Sequence, residues 1–161
     1  MQGAPHGGWY YEQIALGFNY RMTDLQAALG RSQLQHLDRW VATRNELADR
    51  YDRALASLPL VTPARPESGR SAFHLYVVLV GDGARATRRE VFDHLRANGV
   101  GVNVHYIPVH LQPDYRRLGF APGAFPAAEA YYARALSLPM YPALTAADQD
   151  RVVDLVRSAL R

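Results

Sequence analysis

The sequence contains no cysteine. That absence removes disulfide frameworks, thiolate nucleophiles and cysteine-based zinc sites. Lysine is missing as well, because all 18 of the Lys and Arg positions are arginine. A guanidinium stays protonated and is a poor amine nucleophile, so no side chain in these 161 residues can form a Schiff base. No apolar run approaches the roughly 18 residues of a membrane span. The stretch Met1-Gln2-Gly3-Ala4-Pro5-His6 has neither the basic start nor the apolar core of a signal peptide. A cytoplasmic location is the expectation. Long runs of one charge are lacking too. Arg39, Arg44, Arg50 and Arg53 alternate with Asp38, Glu46, Asp49 and Asp52, which reads as a solvated helix face. Only Arg88-Arg89 and Arg116-Arg117 are paired, and with a net charge of +3 no basic stripe for nucleic acid emerges. Walker loops, a GxGxxG fingerprint and a nucleophile elbow are also absent; Ser137 has no elbow glycines around it.

What remains is a chain that is 48% hydrophobic and 20% charged, enough for a real core. Its length suits one domain, or one piece of a larger one. The aromatic but unpatterned start, Gly7-Gly8-Trp9-Tyr10-Tyr11, reads as loop and looks cut from a larger domain. Thr23-Asp24-Leu25-Gln26 is a capping box that opens a helix with Leu25, Ala28 and Leu29 on one face. From Ser32 to about Leu58, steps of three and four through Leu34, Leu37, Val41, Ala48, Tyr51 and Leu55 predict one long amphipathic helix, interrupted by Arg44 and ended by Pro59. Phe73 to Val80 predicts a strand, and Thr87-Arg88-Arg89-Glu90 a second capping box whose helix closes at Asn98-Gly99. Val100 to Ile107 predicts another strand, giving β-α-β. Ala127 to Ala135 reads as helix and Leu138-Pro139-Met140 as a short extended piece, and Thr145 caps a last helix. The expected fold is mixed α/β (an α+β small domain): a long linking helix, then a small sheet covered by helices.

Three segments carry candidate chemistry. In Gly17-Phe18-Asn19-Tyr20-Arg21-Met22, amide and guanidinium donors precede a helix N-terminus, which suits an anion. The plainer alternative is a loop where Asn19 bonds the backbone. In Asn103-Val104-His105-Tyr106-Ile107-Pro108-Val109-His110, two histidines and a tyrosine crowd a strand end, where α/β sheets often place ligands. His105 with His110 lacks both the helical spacing and a clear third ligand for a metal site. Substrate hydrogen bonding by His105 and Tyr106, or packing at the core edge, are the open readings. Ala135-Leu136-Ser137-Leu138-Pro139-Met140-Tyr141-Pro142 reads as a rigid buried crossover.

Taken together these motifs resemble the DegT/DnrJ/StrS-type sugar aminotransferases, which are fold-type-I pyridoxal-phosphate enzymes. The resemblance rests on Leu16 to Gly30, on the His-Tyr-Ile-Pro-Val-His run, and on Ala-Leu-Ser-Leu-Pro-Met-Tyr-Pro followed by Thr145 and Asp148-Gln149. Their order and spacing match across nearly the whole chain. Val102 to Tyr115 is most similar to the branch that aminates a UDP-linked 4-keto sugar on the route to pseudaminic acid. The resemblance implies a homodimer in which a lysine holds pyridoxal 5'-phosphate, glutamate donates the amine, and a nucleotide-linked 4-keto-6-deoxy sugar accepts it. It assigns Asn19 to the partner's site near the cofactor phosphate, and His105, Tyr106, Ile107 and Pro108 to the nucleotide sugar. Arg21 is a weaker candidate in the first loop. It also implies that residues 1–31 end the large domain, 32–58 form the linking helix and 59–161 the C-terminal small domain.

One departure qualifies this. The family's Schiff-base lysine and the acid that pairs with the pyridine nitrogen lie in a large N-terminal domain that these residues do not include. Met1 therefore reads as an internal methionine, and this polypeptide alone is expected to be inactive, with no catalytic residue of its own. The competing expectations are a stand-alone module for nucleotide-sugar binding or dimerisation, and a remnant without a ligand.

Overall fold

The structure is a computed structural model that describes residues 15–18, 20–65 and 67–161. The aromatic start and Asn19 lie outside the described residues. The chain divides into two compact units, Met1–Leu37 and Asp38–Arg161.

In the first unit, helix α1 spans Asp24–Leu34. The Thr23 hydroxyl accepts the Gln26 amide, and the Gln26 side chain accepts the Thr23 amide at 3.0 Å, so the capping box forms as its residues dictate. No α1 residue is buried, and Leu25 and Leu29 stand exposed. The single helix expected from Ser32 to about Leu58 is not formed, because its first residues belong to α1, which runs on to Leu34. Helix α1 ends before a turn at Gln35–His36, and α2 begins anew as Leu37–Leu55. In that turn the His36 amide bonds Gln33 O.

The second unit holds the core. Helix α2 buries Leu47, Ala48, Tyr51 and Leu55, so the apolar stripe takes effect only in its second half. Arg44 fits the half-buried helix face because its Nη1 donates to Phe73 O and Met140 O, both at 2.9 Å. Strand β1 (Leu60–Val61) pairs antiparallel with β2 (Tyr76–Val80), and β2 pairs antiparallel with β3 (Ala135–Leu138), with Tyr76 opposite Leu138. In β2 the side chains alternate between buried and half-buried, as a strand with one core face must. Helices α3 (Arg88–Ala97) and α6 (Ala146–Ala159) pack on one another and bury Val91, Leu95, Val152, Val153 and Val156 beside the sheet. Each such side chain contributes about 1.5–3 kcal/mol of transfer free energy. The small helices α4 (Pro113–Arg117) and α5 (Pro126–Arg134) lead into β3. This is the expected mixed α/β arrangement: a small antiparallel sheet with helices. Among the described residues no helix is long and apolar enough to cross a membrane.

Two expected elements are corrected. Val100 to Ile107 is not a strand; it touches the sheet through a single bridge, Asn103 to Ser137. The reason lies on β3. Antiparallel pairing beyond Asn103–Ser137 would set Gly101 against Pro139, which has no amide, and His105 against Ala135, whose amide is already bonded to Tyr131 O. The expected β-α-β unit accordingly gives way to an antiparallel sheet whose third strand is Ala135–Leu138.

Candidate functional site

Strand β3 is buried along its whole length and builds the His105 loop from its free edge. The Ser137 amide donates to Asn103 O at 2.8 Å, and Ser137 O accepts the Asn103 amide at 3.4 Å. The Ser137 hydroxyl lies 2.8 Å from His105 Nδ1. The His105 ring meets Tyr106 edge-on, with centroids 4.9 Å apart. Three consecutive residues of the loop thus stand differently. His105 is half-buried and anchored, Tyr106 is 74% exposed, and Ile107 is exposed beside it. Pro108 is buried and starts a 3-10 turn, Val109–Leu111. An imidazole and a phenol are the polar groups this arrangement offers to a ligand, with the buried Ser137 hydroxyl bonded behind the imidazole. Sequence reasoning missed Ser137, which sits 32 residues from His105; a hydroxyl inside an otherwise apolar buried run was the available signal.

A second cluster follows directly. His110 is buried, and its Nε2 lies 2.8 Å from Glu129 Oε1 on α5. The Gly123 amide donates to the same oxygen at 2.8 Å. The His110 bond and then the Gly123 amide hold the Glu129 carboxyl below the usual carboxylate range. Beside this pair lies an apolar cavity of about 390 Å³, walled by Val109, Tyr115, Phe120 and Phe125. His110 is thus committed to Glu129 rather than to His105. Among the described residues no group of three His, Asp or Glu side chains gathers as a metal site.

In the first unit, Tyr20, Arg21, Met22 and Gln26 border an open depression of about 530 Å³ at the start of α1. Arg21 is exposed there, and Asn19 lies outside the described residues.

The DegT/DnrJ/EryC1/StrS aminotransferase family matches residues 2–157. The chain belongs to that family. Spore coat polysaccharide biosynthesis protein SpsC of Bacillus subtilis is 42% identical over 162 residues, covering 98% of this chain and 42% of SpsC. A dTDP-3-amino-3,4,6-trideoxy-alpha-D-glucose transaminase of Streptomyces venezuelae is 37% identical, covering 91% of this chain and 38% of that protein. Among solved structures, Helicobacter pylori PseC, an aminotransferase involved in the biosynthesis of pseudoaminic acid, superposes with a TM-score of 0.79 at 28% identity, over 96% of this chain and 42% of PseC. The chain spans about two fifths of the length of the curated relatives it matches.

Members of the DegT/DnrJ/EryC1/StrS aminotransferase family are sugar aminotransferases that depend on pyridoxal phosphate. The residues of the His105 loop do not by themselves fit that cofactor. The sequence holds no lysine to bond its aldehyde, and the His105 loop brings up no carboxylate for its ring nitrogen and no guanidinium for its phosphate.

Proposed function

We propose that this chain is the sugar-binding C-terminal part of a cytoplasmic aminotransferase. The reaction moves an amino group from glutamate to the C4 ketone of a UDP-linked 4-keto-6-deoxy sugar, on the route to pseudaminic acid. The observation that carries this reading is the anchored His105 loop, whose polar groups suit a nucleotide sugar, within a chain of this family. The likeness to PseC and the Val102 to Tyr115 run support the pseudaminic branch. In this reading His105 and Tyr106 bond the nucleotide sugar, and Ile107 and Pro108 shape the wall of its site. Arg21 and Asn19 serve the anionic end of the ligands in a partner subunit. The exposed Leu25 and Leu29 on α1 support an assembly, here a homodimer, that covers them. Residues 1–31 close the large domain, 32–58 link, and 59–161 form the small domain. Pyridoxal phosphate and its lysine belong to residues outside these 161.

Two measurements test the proposal. Borohydride reduction of the 161-residue polypeptide with pyridoxal phosphate should leave no side-chain adduct in a mass spectrum. A Schiff-base absorbance that survives dialysis overturns that expectation. The native gene product should weigh well above 18.0 kDa on a blot of the source cells. A product of 18.0 kDa favours the second reading, a nucleotide-sugar-binding module without catalysis. The closed core of the unit Asp38–Arg161 is the observation on that side.

A further inference from the structure

Ser137 has no task in the activity proposed above, yet it is 4% exposed and its hydroxyl meets one partner among the described residues, His105 Nδ1. A hydroxyl carries one proton and two lone pairs, whereas each nitrogen of a neutral imidazole is either donor or acceptor. The two ways of filling this bond are unequal. With the proton on Nδ1, the hydroxyl accepts, and its own proton is left buried with no acceptor among the described residues. With Nδ1 bare, the hydroxyl donates and both groups are satisfied. An orphaned buried donor is the costly alternative, so the second arrangement dominates. The neutral ring must then carry its proton on Nε2. The backbone bonds between Ser137 and Asn103 fix the Ser137 backbone beside the loop, and Tyr106 packs edge-on against the imidazole.

We propose that Ser137 is a positioning residue that fixes the tautomer and orientation of His105, so that His105 presents Nε2–H as a hydrogen-bond donor to an acceptor oxygen of the nucleotide sugar. The proposal rests on the reading that the His105 loop faces that ligand. It divides the labour within the loop. β3 supplies the fixed base through the Asn103 bridge and the Ser137 hydroxyl, and His105 transmits that base outward as a directed donor. An acceptor at the same place, Nε2 without a proton, repels phosphate and carbonyl oxygens instead of binding them. The tautomer therefore selects the chemistry of the ligand.

The experiment is a long-range nitrogen–proton correlation spectrum of the histidine rings in the full 161-residue chain at a pH where His105 is neutral. The expected wild-type result is a protonated Nε2 and an Nδ1 at the shift of a hydrogen-bonded acceptor. In Ser137→Ala, Nδ1 should move to the shift of a free acceptor, and Ser137→Thr, which keeps a hydroxyl, should restore it. A structural role alone does not predict that rescue. A protonated Nδ1 in the wild-type chain, or ring nitrogens that ignore Ser137→Ala, overturns the proposal whether or not the variants fold well. In a second arm the wild-type chain and Ser137→Ala are titrated with UDP-N-acetylglucosamine. The Nε2–H proton should shift on binding, and the variant should bind about tenfold more weakly, as suits one misdirected hydrogen bond. If the tautomer is as expected but the sugar leaves His105 unmoved, the nucleotide-sugar reading fails and the donor role with it, while the Ser137 anchor is upheld by the first arm.

Discussion

Raising the pH past the ordinary tyrosine value of 10.0 ionises Tyr51 and Tyr76 in the unfolded chain before the folded one. Both side chains are fully buried, with ring centroids 4.9 Å apart. Burial is the main cause that pushes each phenol up, and the charge of Tyr141 adds to it for Tyr51. For Tyr76 the second cause is Asp52, whose Oδ1 accepts the hydroxyl at 2.5 Å. The sign follows from which state releases protons first. With folded values raised, this stability is fully present below 10.0 and is lost as the pH climbs from there toward the folded values. Each tyrosine contributes a slope of about 1.4 kcal/mol per pH unit, so the pair removes about 3 kcal/mol within one unit. Against a stability of about 5–15 kcal/mol, that is about a fifth to three fifths of the total. The assay is thermal melting at steps of pH between about 8 and 11, read alongside tyrosinate absorbance. Tyr51→Phe and Tyr76→Phe should each halve the alkaline slope. They should also lower neutral stability by about 1 kcal/mol, since the first loses its bond to Pro139 O and the second its bond to Asp52. The reasoning is refuted if the slope survives both substitutions, or if either phenol ionises at its ordinary value while the melting temperature holds.

Arg44→Met keeps the aliphatic stem but strands the carbonyls of Phe73 and Met140; chemical denaturation should register a loss of about 2–3 kcal/mol. Gly81→Ala places a Cβ 2.8 Å from Pro59 O, which must push β1 away from β2, so a drop of about 1–3 kcal/mol is expected in the same assay. Glu129→Gln should flatten the acid side of the stability curve. The folded Glu129 value is depressed, so its contribution is present above the ordinary 4.5 and is lost as the pH falls through the folded value. Aromatic resonances of Phe120 and Phe125, beside the His110–Glu129 pair, report that loss directly in acid titrations of the two proteins.

Features that depend on three or four consecutive residues were legible in the sequence. Thr23, Thr87 and Thr145 each cap the helix their neighbours announce, and Tyr76 to Val80 forms its strand. The reading failed where distant partners decide. Ala135-Leu136-Ser137-Leu138 is too short to show a period and is covered on both faces, so its extended state is set by β2 and not by local preference. Val100 to Ile107 has strand-forming side chains, but the strand it faces has no further amides to give, because Pro139 has none and that of Ala135 is bonded to Tyr131 O. The loop His105 to Pro108 stood out as a candidate by composition. Its base did not, because the Ser137 contact and the His110–Glu129 pair join residues far apart in the chain.

The central strand β2 has one neighbour close in sequence and one far away. Leu60 and Val61 precede it by about twenty residues, whereas Leu138, opposite Tyr76, follows by about sixty. Pairing over such a separation carries a loop-closure cost before any contact rewards it, and it slows folding. On a ribosome adding about 5–20 residues per second, β2 therefore emerges several seconds before its main partner exists. Throughout that interval an apolar strand presents an open edge, and the arrival of Ala135–Leu138 decides when it closes.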